Sequence, residues 1–155
     1  MSTVRRATSE DLDDLVRLES ALFVEDAGVY EEFADTSWPE REGRDDFRQL
    51  IESSKCLVLV AEQVDGVVGF LAGYMASSSP TRQPVEYAVL RSLYVAVDQR
   101  RRGAAQLLIN EFLAWARTKE CVEAHVDSYA ANVGVQALYE RNGFTVRSIS
   151  RVLRL

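Results

Sequence analysis

Three consecutive arginines and a glycine, Arg100, Arg101, Arg102 and Gly103, lie between two contrasting patterns. Before them, Leu93 to Val97 (LYVAV) is β-branched and aromatic enough for a buried strand; after them, Ala104, Leu107, Leu108, Phe112 and Trp115 recur at helical spacing. A strand therefore runs directly into a helix. The first N–H groups of a helix lack intrahelical acceptors and its dipole is positive there, so this junction suits an anion, with a phosphate or pyrophosphate the natural candidate. Gly103 lets backbone approach the anion closely, small Ala105 avoids blocking it, and the arginines add charge-assisted contacts. GxGxxG and GxxxxGK[S/T], the spacings of dinucleotide and nucleoside-triphosphate loops, are both absent.

A second chemical stretch is acidic. Residues 9–46 hold 14 of the 24 carboxylates and 3 of the 18 basic side chains, in a chain of net charge −6. Within it, Glu25, Asp26, Tyr30, Phe33 and Trp38 interleave carboxylates with aromatic rings, a combination that suits a cationic amine. The overall acidity argues against nucleic acid as a partner, the three arginines being only a local patch. Cys56 and Cys121 have no CxxC spacing, and His125 is the single histidine, so neither a metal site nor a cysteine nucleophile is expected. His125 reads as a strand residue satisfied within the core. With no bilayer-length apolar run and no apolar region after the basic pair Arg5, Arg6, the chain is expected to be soluble and cytoplasmic, with no membrane partner.

The elements that must position these residues fill 155 residues, the length of one domain. Thr3 to Ala7 reads as a first strand, and Thr8 or Ser9 caps a helix carrying Leu12, Leu15, Leu18 and Leu22. Val24 to Glu42 reads as an irregular recognition loop with a helical turn inside it, and Arg44 to Ser53 as a second helix. Lys55–Gln63 and Val67–Met75 form a hairpin about Asp65, Gly66, and Tyr87–Val97 is the strand before the junction. After the junction helix, Cys121–Asp127 is a strand parallel to that one; Asn132–Arg141 is a short helix stopped by Asn142, Gly143; Phe144–Leu155 alternates and closes the sheet.

Arg100 to Ala105 resembles the [Q/R]xxGx[G/A] signature of the GNAT superfamily of acyl-CoA-dependent N-acyltransferases. Asn132 followed by Leu138, Tyr139, Glu140, Gly143 and Phe144 resembles the family's NxxAxxLYExxGF segment, with Val135 where alanine is usual. The order of elements fits along nearly the whole chain. The resemblance implies a single GNAT domain over residues 1–155: a mixed α+β fold with a mostly antiparallel sheet of six to seven strands, a central splayed parallel pair and about four helices. It implies acetyl-CoA as co-substrate, held by the backbone edge of Leu93, Tyr94 and Val95, by Arg100, Arg101, Arg102, Gly103, Ala104 and Ala105, and by Asn132.

The implied reaction is direct attack of a primary amine on the thioester, without a covalent enzyme intermediate, and Tyr139 is the expected general acid for the departing thiolate. A lysine-like amine of pKa about 10.4 must shed roughly 3.4 units at pH 7, about 4.6 kcal/mol, against about 1 kcal/mol for an α-amine, so a base matters most for the first. Val89 occupies the position where some members place a glutamate; Glu86 is the nearest candidate in the same strand, with Asp127 another. The acceptor is expected to be a small cationic amine bound by Glu25, Asp26, Tyr30 and Trp38. Acetylation of a protein or peptide N-terminus, and a non-catalytic CoA-binding regulatory module, are the alternatives, and the family's habits allow a homodimer.

Overall fold

The computed structural model describes residues 1–155. Five strands form one sheet in the order β1 (Thr3–Arg6), β2 (Cys56–Gln63), β3 (Gly66–Ser77), β4 (Glu86–Val95) and β5 (Glu123–Val126). The first three junctions are antiparallel and β4·β5 is parallel. The helices are α1 (Leu12–Glu25), the single turn α2 (Ala27–Tyr30), α3 (Trp38–Glu52), α4 (Ala104–Thr118) and α5 (Val133–Arg141).

Strand alternation divides the apolar residues between two cores. Leu57 and Leu59 of β2 join Leu71, Leu90, Leu108 and Phe112 on the α4 side, whereas Val58 and Val60 join Leu15, Leu18, Phe47 and Phe70 under α1 and α3. Burial on both faces is why β2 reads as an unbroken apolar run. Close packing fixes Gly73: a Cβ there would lie 2.7 Å from the Phe112 ring and 2.9 Å from the Val89 carbonyl oxygen. Gly73→Ala is expected to cost about 1–3 kcal/mol through overpacking, read as a lowered urea midpoint.

Two expectations are corrected. The second helix begins at Trp38, six residues before the expected start, because Pro39 occupies its first turn and Trp38 stacks on Phe23 of α1 with ring centroids 6.1 Å apart. The closing strand does not form: residues 144–155 join no ladder, and the sheet has five strands rather than six or seven. The alternation of this segment is local composition, and a strand also needs an edge to pair with, which its own neighbours along the chain do not specify.

One irregularity positions the site. Ala72 pairs with Ser92 while Gly73 pairs with Leu90, leaving Arg91 as an extra residue on β4. The bulge shifts the side-chain phase, so Ala88 and Leu90 before it and Leu93 and Val95 after it all reach the α4 core. Pairing of β4 with β5 ends at the same place, at Leu90 with Val126. From Arg91 to Val95 the edge of β4 facing β5 is therefore unpaired, which opens the gap between the two parallel strands.

Candidate active site

The junction after β4 is built around two residues with positive φ, Arg101 (66°) and Gly103 (86°), the latter serving as N-cap of α4. This turn aims a run of backbone donors outward. None of the N–H groups from Arg101 to Gln106 has a backbone acceptor. They face a depression of about 230 Å³ whose walls include Val95, Arg101, Gly103, Ala105, Leu138 and Arg141. Successive free donors, a helix N-terminus and two guanidinium groups form a concave anion site. A Cβ at Gly103 would meet nothing within 4 Å, so the requirement for glycine is the backbone angle and not crowding by the protein.

The three arginines are not equivalent. Arg100 also lines the depression, but its guanidinium is already engaged: its Nε donates to the Val95 carbonyl at 2.8 Å, its terminal nitrogen pairs with Glu25 at 3.1 Å, and it lies 5.3 Å from the Tyr94 ring centre. Arg102 donates to Gln99 at 3.3 Å, and Arg101 makes no ion pair. Arg100 therefore ties the end of β4 to the end of α1, and the Val95 carbonyl, expected to be open, already has a donor.

On the opposite wall, the α1–α2 corner crosses the gap between β4 and β5. Asp26 accepts from the Asn132 amide at 3.0 Å, while the other end of that amide caps α5 at the Val135 N–H. Tyr94 donates its hydroxyl to Glu25, and Tyr129 donates to Glu31 at 2.6 Å. Tyr30 stacks on Tyr129 with centroids 5.6 Å apart. Tyr139 lies behind this wall, 8% exposed, its ring edge-on to Phe144. Burial, reinforced by the negative charge of Asp26, pushes its hydroxyl up to about 12, so it holds its proton throughout the neutral range.

A family model described as Acetyltransferase (GNAT) family matches residues 21–144. The chain belongs to this family. Among curated proteins no relative matches the sequence, but solved structures share the GNAT fold. A mutant of the BH1408 protein from Bacillus halodurans superposes with a TM-score of 0.90 at 18% identity, covering 99% of both chains. The aminoglycoside N-acetyltransferase AAC(6')-Iy in complex with CoA gives 0.78 at 16% identity, over 100% of this chain and 95% of that one. A transcriptional regulator from Bacillus halodurans C-125 gives 0.79 at 19% identity over 100% of both.

In this GNAT chain the structure brings most of the expected residues together. Leu93, Tyr94 and Val95 lie on the unpaired stretch of β4, Arg101 to Ala105 at the donor run, Asn132 at the N-cap of α5 against Asp26, and Tyr139 on α5. Two residues stand apart. Trp38 packs on Phe23 instead of joining the Tyr30–Tyr129 pair. Glu86 occupies the first position of β4, nine residues before Val95 and thus about 30 Å away along an extended strand, where both its carboxylate oxygens accept from the Ser77 hydroxyl. Asp127 is exposed just beyond β5; His125 lies in β5 and stacks on Tyr87 at 4.2 Å, but it is not a core residue: its side chain is half-buried and its Nε2 lies 3.4 Å from Glu123, not against a core carbonyl as expected. Sequence reasoning missed Tyr129; the available signal was its place in the loop leaving the carboxyl end of a parallel strand, where open α/β sheets present ligand-binding residues.

Proposed function

We propose that this protein is an N-acetyltransferase that moves an acetyl group from acetyl-CoA to the primary amine of a small cationic molecule. The observation that carries the reading is the convergence of a buried, protonated Tyr139, the amide of Asn132 and the carboxylate of Asp26 at one end of the gap, with the free N–H run of the α4 junction at the other. The chain's donor set fits a pyrophosphate: six successive N–H groups, a positive-φ glycine and the guanidinium groups of Arg101 and Arg141. Acetyl-CoA supplies an activated acyl group on a thiol leaving group.

The remaining chemistry is assigned to side chains. Glu25, Asp26 and Glu31 hold the acceptor as its ammonium, and Tyr30 and Tyr129 offer ring faces to it. The amine, once neutral, attacks the thioester carbonyl; the C–N bond forms, the C–S bond breaks, and the Tyr139 hydroxyl gives its proton to the sulfur. The proton lost by the nitrogen passes toward the carboxylates of the α1–α2 corner or to water. That the CoA-bound AAC(6')-Iy acts on aminoglycosides supports a polycationic acceptor for this chain.

The test is release of free thiol from acetyl-CoA with a panel of amines: aminoglycosides, polyamines, amino acid amides and short peptides. Turnover is expected with the polycations and to be weaker with peptides of uncharged side chains. CoA at 100 times its Kd is expected to add about 2.7 kcal/mol of stability, seen as a raised Tm. No stabilisation at millimolar CoA would sink the reading altogether, and stabilisation without turnover on any amine would reduce the protein to a CoA-binding module.

A further inference from the structure

Glu25 belongs to the acidic wall that faces the acceptor, yet both of its carboxylate oxygens are already taken. Oε2 accepts the Tyr94 hydroxyl, and Oε1 lies 3.1 Å from a terminal nitrogen of Arg100. The same guanidinium lies 5.3 Å from the centre of the Tyr94 ring. A carboxylate beside an aromatic face is the arrangement that holds an organic cation, and here the chain's own arginine fills it.

Arg100 also borders the anion site. It lines the depression together with Arg101 and Arg141, where the N–H groups from Arg101 to Gln106 lack backbone acceptors. Its pair with Glu25 is open to water, the two side chains being 44% and 35% exposed, and a pair so exposed is held weakly. A pyrophosphate in the depression offers several anionic oxygens and takes a guanidinium by two parallel hydrogen bonds, so it outcompetes one screened carboxylate. Rotation about the arginine's own side-chain torsions exchanges the two partners without moving the backbone.

We propose that Glu25 and the face of Tyr94 form a subsite for the second cationic group of a diamine or polyamine acceptor, that Arg100 occupies this subsite in the CoA-free protein, and that the pyrophosphate empties it by drawing Arg100 into the depression. The proposal rests on the acetyl-CoA reading of the site. Asp26 follows Glu25 directly, so the two carboxylates serve two nitrogens, the reacting one at Asp26 and the other at Glu25. An acceptor with one nitrogen gains nothing from the vacated position. By linkage, CoA and a diamine raise each other's affinity by the same factor.

Calorimetric titration of the whole chain with putrescine and with butylamine, each with and without saturating CoA, tests this, since CoA itself has no acyl group to transfer. CoA should tighten putrescine at least about 10-fold and butylamine less than about 2-fold. Arg100→Gln should tighten putrescine in the absence of CoA and reduce its response to CoA below about 2-fold. Loss of a positive charge acting only through space would tighten both states equally and leave that response unchanged. Circular dichroism verifies that the variant is folded, and the comparison of the two amines on the unmodified chain stands without it. Putrescine binding no better with CoA than without it, an equal response from butylamine, or an unchanged response in folded Arg100→Gln would each overturn the proposal. A chain that CoA stabilises but that shows none of this coupling keeps the acetyl-CoA reading and loses only the subsite.

Discussion

Tyr139→Phe is expected to lower kcat by about 100- to 1000-fold while leaving the CoA-induced rise in Tm and the KM for amine nearly unchanged. Phenylalanine keeps the ring that meets Phe144 edge-on, so the core contact survives and only the hydroxyl is lost. That separates the two roles the residue can have: a packing tyrosine would lose nothing measurable in kcat. The pH profile adds a second check. With the hydroxyl pushed up to about 12 by burial and by Asp26, the acid remains protonated across any practical assay range, so the wild-type rate should show no alkaline fall below about pH 10 attributable to it. Turnover retained in the phenylalanine variant would remove Tyr139 from the mechanism.

The second large effect concerns stability. Glu19 is 2% exposed, one carboxylate oxygen lies 3.4 Å from Arg91, and the other has no hydrogen-bond partner. Arg91 is shared with Asp46, 2.8 Å away on its other side. Burial dominates, Asp46 adds repulsion and Arg91 only partly offsets both, so the Glu19 carboxyl is pushed up to about 7 from its ordinary 4.5. The folded chain therefore keeps this proton to higher pH than the unfolded chain does. Stability from this group is full below pH 4.5, falls as pH rises toward 7, and stays low above it; the difference of 2.5 units corresponds to about 3 kcal/mol. Glu19→Gln, neutral at every pH and still able to donate or accept, should raise Tm by about 5 °C or more at pH 8 and change it little at pH 4.5. Equal shifts at the two pH values would mean that Glu19 does not titrate in this way.

The β4 bulge links these two expectations. Arg91 is the extra residue, with its guanidinium between Glu19 and Asp46 under α1 and α3, and the β4·β5 pairing ends beside it, at Leu90, where the gap opens. Sequence alternation runs through this point unmarked. Leu90, Arg91, Ser92 and Leu93 give no sign of which residue is extra, because a bulge is defined by the partner strand. The three arginines of the junction are a parallel case: their adjacency suggested one shared task, but only the fold commits Arg100 to Val95 and Glu25 while Arg101, at the same depression, makes no ion pair.

What the sequence by itself determined is local. The strand-to-helix junction, the hairpin about Gly66, the short helix begun by Asn132 and ended at Gly143, and the GNAT resemblance all rest on contiguous residues whose spacing carries the physics: period, caps and positive-φ glycines. Tertiary structure decided what depends on distance through space. It set Glu86 at the remote end of a ten-residue strand, brought Asp26 to Asn132 across 106 positions of sequence, recruited Tyr129 to the acidic wall, and left the tail without a ladder despite its strand-like composition. The reason is the same in each instance. A strand needs an edge to pair with and a carboxylate needs a partner within about 3 Å, and neither condition is written in the residue's own neighbours along the chain.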